Sequence, residues 1–161
     1  MDVIGVIAEY NPFHHGHAWQ LGELRRRFPS MDGIVIVMSG SITQRGTPAV
    51  LDKWARARHA VDGGADLVLE LPFVFACRSA QDFARGGVSL LMHLGVVSHL
   101  AFGTEAAAIP PLERAAREID TGKTQHMIAK SLSMGLSYAA ALSSALAEQL
   151  GIKESILRAP N

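Results

Sequence analysis

The sequence predicts an α/β fold, a doubly wound parallel sheet followed by an all-helical extension. Three observations predict it. Short aliphatic runs recur about every thirty residues, at 3–8, 34–38, 67–69 and 96–102, and read as buried parallel strands. The segments between them carry apolar residues at helical spacing, so strand and helix alternate, the order that builds a sheet covered on both faces. After Phe102 the alternation stops and only helical patterns remain.

The first helical segment follows the first strand, with Ala18, Leu21, Leu24 and Phe28 on one stripe. The second has Val50, Trp54, Ala57 and Val61, and the third Ala80, Phe83, Ala84, Gly87, Leu91 and Leu94. Gly63-Gly64 and Gly95 fall just after the second and third segments, where a left-handed residue commonly closes a helix. In the extension, Pro110-Pro111 opens one helix, residues 124–134 make a second, and residues 137–150 a third that closes at Gly151. Leu142, Leu146 and Leu150 form a stripe on the last helix, expected to pack against the sheet. The expected domains are 1–105 and 106–161, the second being the start of a longer C-terminal region, since the chain stops at Ala159-Pro160-Asn161 without a helix stop signal.

Composition limits the function classes. Of 161 residues, 48% are hydrophobic and 19% charged, which suits a folded soluble domain and excludes disorder. The longest apolar stretch, residues 67–77, is interrupted by Glu70 and Pro72 and falls short of the ~18 residues of a membrane span. Met1-Asp2 enters an apolar run without a basic leader, so no secretory signal is expected, and the one cysteine, Cys77, leaves no internal disulfide and no thiolate metal cluster. A cytoplasmic setting is expected. Fifteen basic and fifteen acidic side chains balance, which argues against a broad nucleic-acid-binding face and leaves room for a local basic patch.

The chemistry concentrates in the first turn. Ligands of open parallel sheets bind beyond the carboxyl ends of strands, and the first such end continues as Glu9-Tyr10-Asn11-Pro12-Phe13-His14-His15-Gly16-His17. His14 and His17 flank Gly16 where the first helix begins, so two imidazoles and several free backbone N–H groups are expected to converge at a positive helix end. Gly16 has no side chain to keep an anion away, and an imidazole is readily protonated beside a polyphosphate. A single histidine here also serves as a cap, and three histidines in four positions also suit a metal, which would need further ligands that the sequence does not place nearby. The combined His-x-Gly-His pattern favours phosphate.

That pattern resembles the HxGH signature of nucleotidyltransferases and class I tRNA synthetases. Six blocks extend the likeness: Ile7-Ala8-Glu9-Tyr10-Asn11-Pro12-Phe13-His14, Met38-Ser39-Gly40, Gln44-Arg45-Gly46, Asp52-Lys53-Trp54, Glu70-Leu71-Pro72-Phe73 and Phe102-Gly103-Thr104-Glu105. Together they resemble the bacterial tRNA(Met) cytidine acetate ligase family over nearly the whole chain. The resemblance implies a Rossmann-like HIGH-superfamily fold that uses ATP to adenylate acetate and acetylates the wobble cytidine of elongator tRNA(Met). It implies His14 and His17 as catalytic residues, and ATP contacts from Ile7 through Gln20, including His15, Ala18 and Trp19, with Gly103 and Asn161 as further contacts. A family arginine downstream of these has no counterpart in the chain.

Ser39, Gly40, Arg45 and Lys53 are candidates for a phosphate or carboxylate clamp, because the second strand's terminal loop faces the same crevice. The family's Gly-Asn-Phe stands here as Gly40-Ser41-Ile42, a change at the expected acetate or acceptor contacts. Magnesium is expected as counter-ion, held mainly by the phosphates. Lys53, Arg56 and Arg58 on one helix, and Arg25, Arg26 and Arg27 at the end of another, could touch an RNA backbone or form solvated faces. Glu70 and Glu105 could orient a ribose or an amine, or cap structure, and Cys77 reads as a packing residue. Two other readings remain open: a transferase of AMP to a small phosphorylated acceptor, and a non-catalytic ATP-binding piece. The superfamily's Ser/Thr-rich closing signature does not occur in the chain, so these 161 residues alone are expected to bind ATP weakly and to acetylate tRNA poorly.

Overall fold

The computed structural model describes residues 1–103 and 109–152, so Glu105 and Asn161 lie outside the described residues. The chain divides into two compact units, Met1–Phe102 and Gly103–Asn161.

The first unit is a four-stranded parallel sheet. Its strands are β1 (Val3–Ala8), β2 (Gly33–Ser39), β3 (Leu67–Leu71) and β4 (Val97–Ala101), in the order β3-β2-β1-β4. β1 pairs with β2 from Val3↔Gly33 to Ala8↔Met38, and β2 with β3 from Val35↔Leu67 to Ser39↔Leu71. β4 returns to the other side of β1. The order therefore reverses at β1, and a reversal opens a crevice at the carboxyl ends of the strands.

Side chains alternate across the sheet and build one core on each face. Ile4, Val6, Ile34, Ile36 and Met38 point to the face covered by α1 (His15–Arg27) and α2 (Lys53–Asp62), where Leu21 and Ala60 are buried. Val3, Val35, Val37 and Leu71 point to the other, covered by the short α3 (Phe73–Ala76) and by α4 (Ala80–His93), where Leu91 is buried. Gly64 and Gly95 have φ of +114° and +69° after α2 and α4, as the sequence predicts.

Two expectations fail in α2. Val50 precedes the helix, and Trp54 and Val61 are exposed; the inward face is formed by Ala60 and, unexpectedly, Arg56, which has no accessible surface. A long charged side chain enters the interior here because backbone carbonyls await it there, and apolar spacing does not report that. Arg56 is accordingly no surface contact for RNA. At the end of α1, Arg25 pairs with Asp66, while Arg26 and Arg27 share Glu23 at 2.8 and 3.1 Å, so this cluster is a solvated, internally paired face. The two arginines hold the Glu23 carboxyl down to about 2.

The second unit contains α5 (Ile109–Glu118), α6 (Gly122–Ser133) and α7 (Tyr138–Leu150). Ile128 on α6 packs with Ala141 and Ala145 on α7, flanked by Met127 and Leu142, so α7 buries its apolar face on α6. Thr121 and Ser137 cap the two helices through their hydroxyls, and Gly151 closes α7 at φ +63°. Among the described residues no helix is long and apolar enough to cross a membrane.

Candidate functional site

β1 ends at Ala8, and the chain must turn sharply before α1 starts at His15. The turn is made at Tyr10, whose φ of +47° is left-handed, a conformation that costs a residue with a β-carbon about 1–2 kcal/mol. Its ring offsets that strain. Tyr10 is buried in the core beneath α1, meets Phe13 edge-on with centroids 5.0 Å apart, and lies 4.6 Å from the His17 ring. Burial raises the phenol to about 12, so it remains protonated, and its hydroxyl has no hydrogen-bond partner among the described residues. Phe13 in turn occupies the space where Gly63, just past α2, lacks a β-carbon. The loop is thereby anchored to the ends of two helices.

On this base His14 is the N-cap of α1. Its Nδ1 accepts the Gly16 N–H at 3.1 Å, and the Nδ1 of His17 accepts the His14 N–H at 3.2 Å, a reciprocal capping box built from imidazoles. The rings stack with centroids 3.7 Å apart and an interplanar angle of 23°. Two consequences follow. Of the backbone N–H groups expected to be free at this helix start, those of Gly16 and His14 are engaged. Each Nδ1 is an acceptor, so in the neutral ring the proton is assigned to Nε2, and each ring presents an N–H donor without needing a positive charge. A β-carbon on Gly16 would come within 3.0 Å of His14 Cε1, so the bare backbone there makes room for the capping ring.

Burial, reinforced by the neighbouring His14, lowers the His17 pKa below its usual 6.5. A group with a lowered folded-state pKa binds its proton better when unfolded. The stability it supports is therefore complete above the unfolded value and declines as pH falls through the lowered one. The melting temperature is expected to fall as pH drops below the ordinary histidine value near 6.5, and His17→Gln to make that fall shallower. An unchanged pH profile in the variant would contradict this.

The second loop is tied to the first. The Glu9 carboxylate accepts the Gln44 N–H at 2.6 Å, and Asn11 Oδ1 accepts the Val50 N–H at 2.7 Å. Arg56 joins three segments through their carbonyls: Glu9 at 2.7 Å, Leu51 at 3.1 Å, and Gly40. Burial lowers its pKa, and Glu9, Asp52 and Glu70 oppose that loss. Nothing in a single sequence separates this arginine from its solvated neighbours.

The remaining expected residues are distributed as follows. Ile7, Ala8 and Glu9 are half-buried at the end of β1, and Pro12, His14, His15 and Gly16 are exposed. Trp19 is exposed and Ala18 and Gln20 half-buried along α1. Ser39, expected in the clamp, is fully buried at the end of β2, between two strands, with its hydroxyl unpartnered among the described residues, so it is out of a ligand's reach. Arg45 is exposed and forms no ion pair among the described residues. Lys53 pairs with Glu70 at 2.6 Å and stands over the Trp54 ring. Gly103 follows β4 and is exposed. Cys77 is half-buried and its thiol donates to the Thr43 carbonyl at 3.6 Å.

A family model described as HIGH Nucleotidyl Transferase matches residues 1–161. The chain belongs to this family. Its relatives carry a more specific name. A tRNA(Met) cytidine acetate ligase of Syntrophomonas wolfei is 47% identical over 169 residues, covering 100% of this chain and 40% of that protein. One of Alkaliphilus metalliredigens is 43% identical, with 96% of this chain and 37% of that protein covered. A crystal structure of Thermotoga maritima TmcAL bound with alpha-thio ATP superposes with a TM-score of 0.87 at 41% identity, over 98% of this chain and 39% of that one. This HIGH nucleotidyltransferase chain thus spans about two-fifths of the length of the relatives it matches.

Proposed function

We propose that the chain forms the ATP-using core of a tRNA(Met) cytidine acetate ligase, which activates acetate as acetyl-adenylate and passes the acetyl group to the exocyclic amine of the wobble cytidine in elongator tRNA(Met). The observation that carries this reading is the stacked His14–His17 pair with both Nε2–H groups turned away from the cap, in a chain 41% identical to a protein crystallised with alpha-thio ATP.

The chemistry follows from what acetate lacks. Its carboxylate has no leaving group, so an acetate oxygen forms a bond to the α-phosphorus while the bond from that phosphorus to the pyrophosphate oxygen breaks. Charge grows on the departing β- and γ-phosphates, and fixed donors aimed at that charge stabilise the transition state more than the ground state. His14 and His17 are those donors. Residues 7–20, apart from the buried Tyr10, line the nucleotide. Arg45, exposed in the loop after β2, faces the acid or the phosphates; Gly40, buried under the Glu70 carboxylate, and Lys53, paired with Glu70, do not. Magnesium would be carried mainly on the triphosphate oxygens.

The test is acetate-dependent exchange of labelled pyrophosphate into ATP by the protein at its encoded length, followed by mass spectrometry of tRNA(Met). Exchange requiring acetate, with a gain of one acetyl group on the tRNA, is expected. Exchange indifferent to acetate, with AMP joined to a small phosphorylated acceptor, would replace this reading with a plain adenylyltransferase.

A further inference from the structure

The carboxyl ends of β2 and β3 enclose a cleft whose lining includes neither His14 nor His17. It has a volume of about 160 Å³ and is lined by Gly40, Ser41, Ile42, Glu70, Leu71 and Phe73, with Ala76. Most of the wall is apolar. The exceptions are Ser41 and the Glu70 carboxylate, and beside the wall the Lys53 ammonium sits 2.6 Å from Glu70 Oε2. Glu70 Oε1 lies over Gly40, in the space a β-carbon there would fill, so the missing side chain fixes where this carboxylate rests. Phe73 forms one rim and leaves 65% of its surface exposed.

A small cleft holding a carboxylate repels acetate. It suits a flat group that offers a donor to Glu70 and an acceptor to Lys53, side by side. The pairing edge of cytosine has that order: the N4 amine donates, and N3 and O2 accept. Uracil reverses it, with O4 against the carboxylate and N3–H against the ammonium. Lys53 has three N–H donors and spends one on Glu70, so others remain for the base. Phe73 supplies the face on which an unpaired base stacks. The topology agrees. The strand order reverses between β1 and β4, and the nucleotide belongs at that reversal; β3 is the strand at the far edge, about 10 Å from β1 at the usual strand spacing.

We propose that Glu70, Lys53 and Phe73 form the acceptor subsite, which receives the extruded wobble cytosine and takes the proton from its amine. This rests on the acetate-ligase reading above. In the step, N4 forms a bond to the acetyl carbonyl carbon, the acyl bond to AMP breaks with its electron pair leaving on the AMP phosphate, and the N4 proton passes to the Glu70 carboxylate and then to solvent.

The experiment compares acetate-dependent pyrophosphate exchange with acetyl transfer to tRNA(Met) in wild type, E70Q and F73A, each at encoded length and checked for folding by circular dichroism. Glu70 is half-exposed, and its amide analogue keeps the shape. In E70Q the ratio of transfer to exchange is expected to fall about 100-fold, the scale of one positioned acid–base group. In F73A the tRNA KM rises about 10-fold, the worth of one stacked base. A ratio that stays at the wild-type value, or exchange and transfer that fall together with a raised acetate KM, would overturn the acceptor assignment and leave the ligase reading standing. A wild type without acetate-dependent exchange would instead overturn both.

Discussion

His14→Ala and His17→Ala each lower acetate-dependent pyrophosphate exchange by about 10²- to 10³-fold, the cost of removing one preorganised donor from a developing oxyanion. The two substitutions differ in what else they remove. His14→Ala deletes the N-cap acceptor of α1 and with it about 1 kcal/mol of stability. His17→Ala deletes the acceptor of the His14 N–H and a ring against Tyr10 and Phe13. His14→Asn separates the two roles. Asparagine caps helices well, so thermal stability returns to near the wild-type value, while the short amide does not carry a donor to the position of Nε2 and exchange stays low. Calorimetry and exchange on the same preparations check this. Full exchange in His14→Asn would mean that the histidine works only as a cap.

Arg56→Met gives the largest expected loss of stability. The guanidinium is buried and its three carbonyl partners come from different segments, so its removal leaves the Glu9, Gly40 and Leu51 oxygens without donors in a closed space. Breaking a buried charged network in this way costs about 3–5 kcal/mol. Arg56→Lys retains the charge with a single nitrogen in place of a fork and recovers only part of the loss. A guanidinium chloride titration reads the difference as a lower midpoint. Exchange falls in both variants, because the same bonds hold the loops after β1 and β2. A midpoint within error of wild type would show that the carbonyls find other donors.

The sheet was legible because its strands are runs of valine and isoleucine bounded by turn residues, and β1 begins and ends where its pattern does. β3 continues to Leu71, past the last aliphatic pair, since Glu70 sits in the ladder with its side chain in a cleft. α3 leaves no signal in the sequence, as four apolar residues show no period. The stripe of Val50, Trp54, Ala57 and Val61 misled for the opposite reason: period alone does not say which face turns inward, and the buried positions were Arg56 and Ala60. In the site, the motif located His14 and His17 correctly at the head of α1, but not the reciprocal cap between them. Which imidazole nitrogen is left unengaged depends on that cap, and the cap depends on the turn at Tyr10.

The most direct test of the account is a crystal structure of the protein with a non-hydrolysable ATP analogue. The account predicts β- or γ-phosphate oxygens roughly 3 Å from Nε2 of both His14 and His17, with the cap bonds to Nδ1 unbroken. A triphosphate lodged elsewhere, with both Nε2 atoms facing solvent, would contradict it.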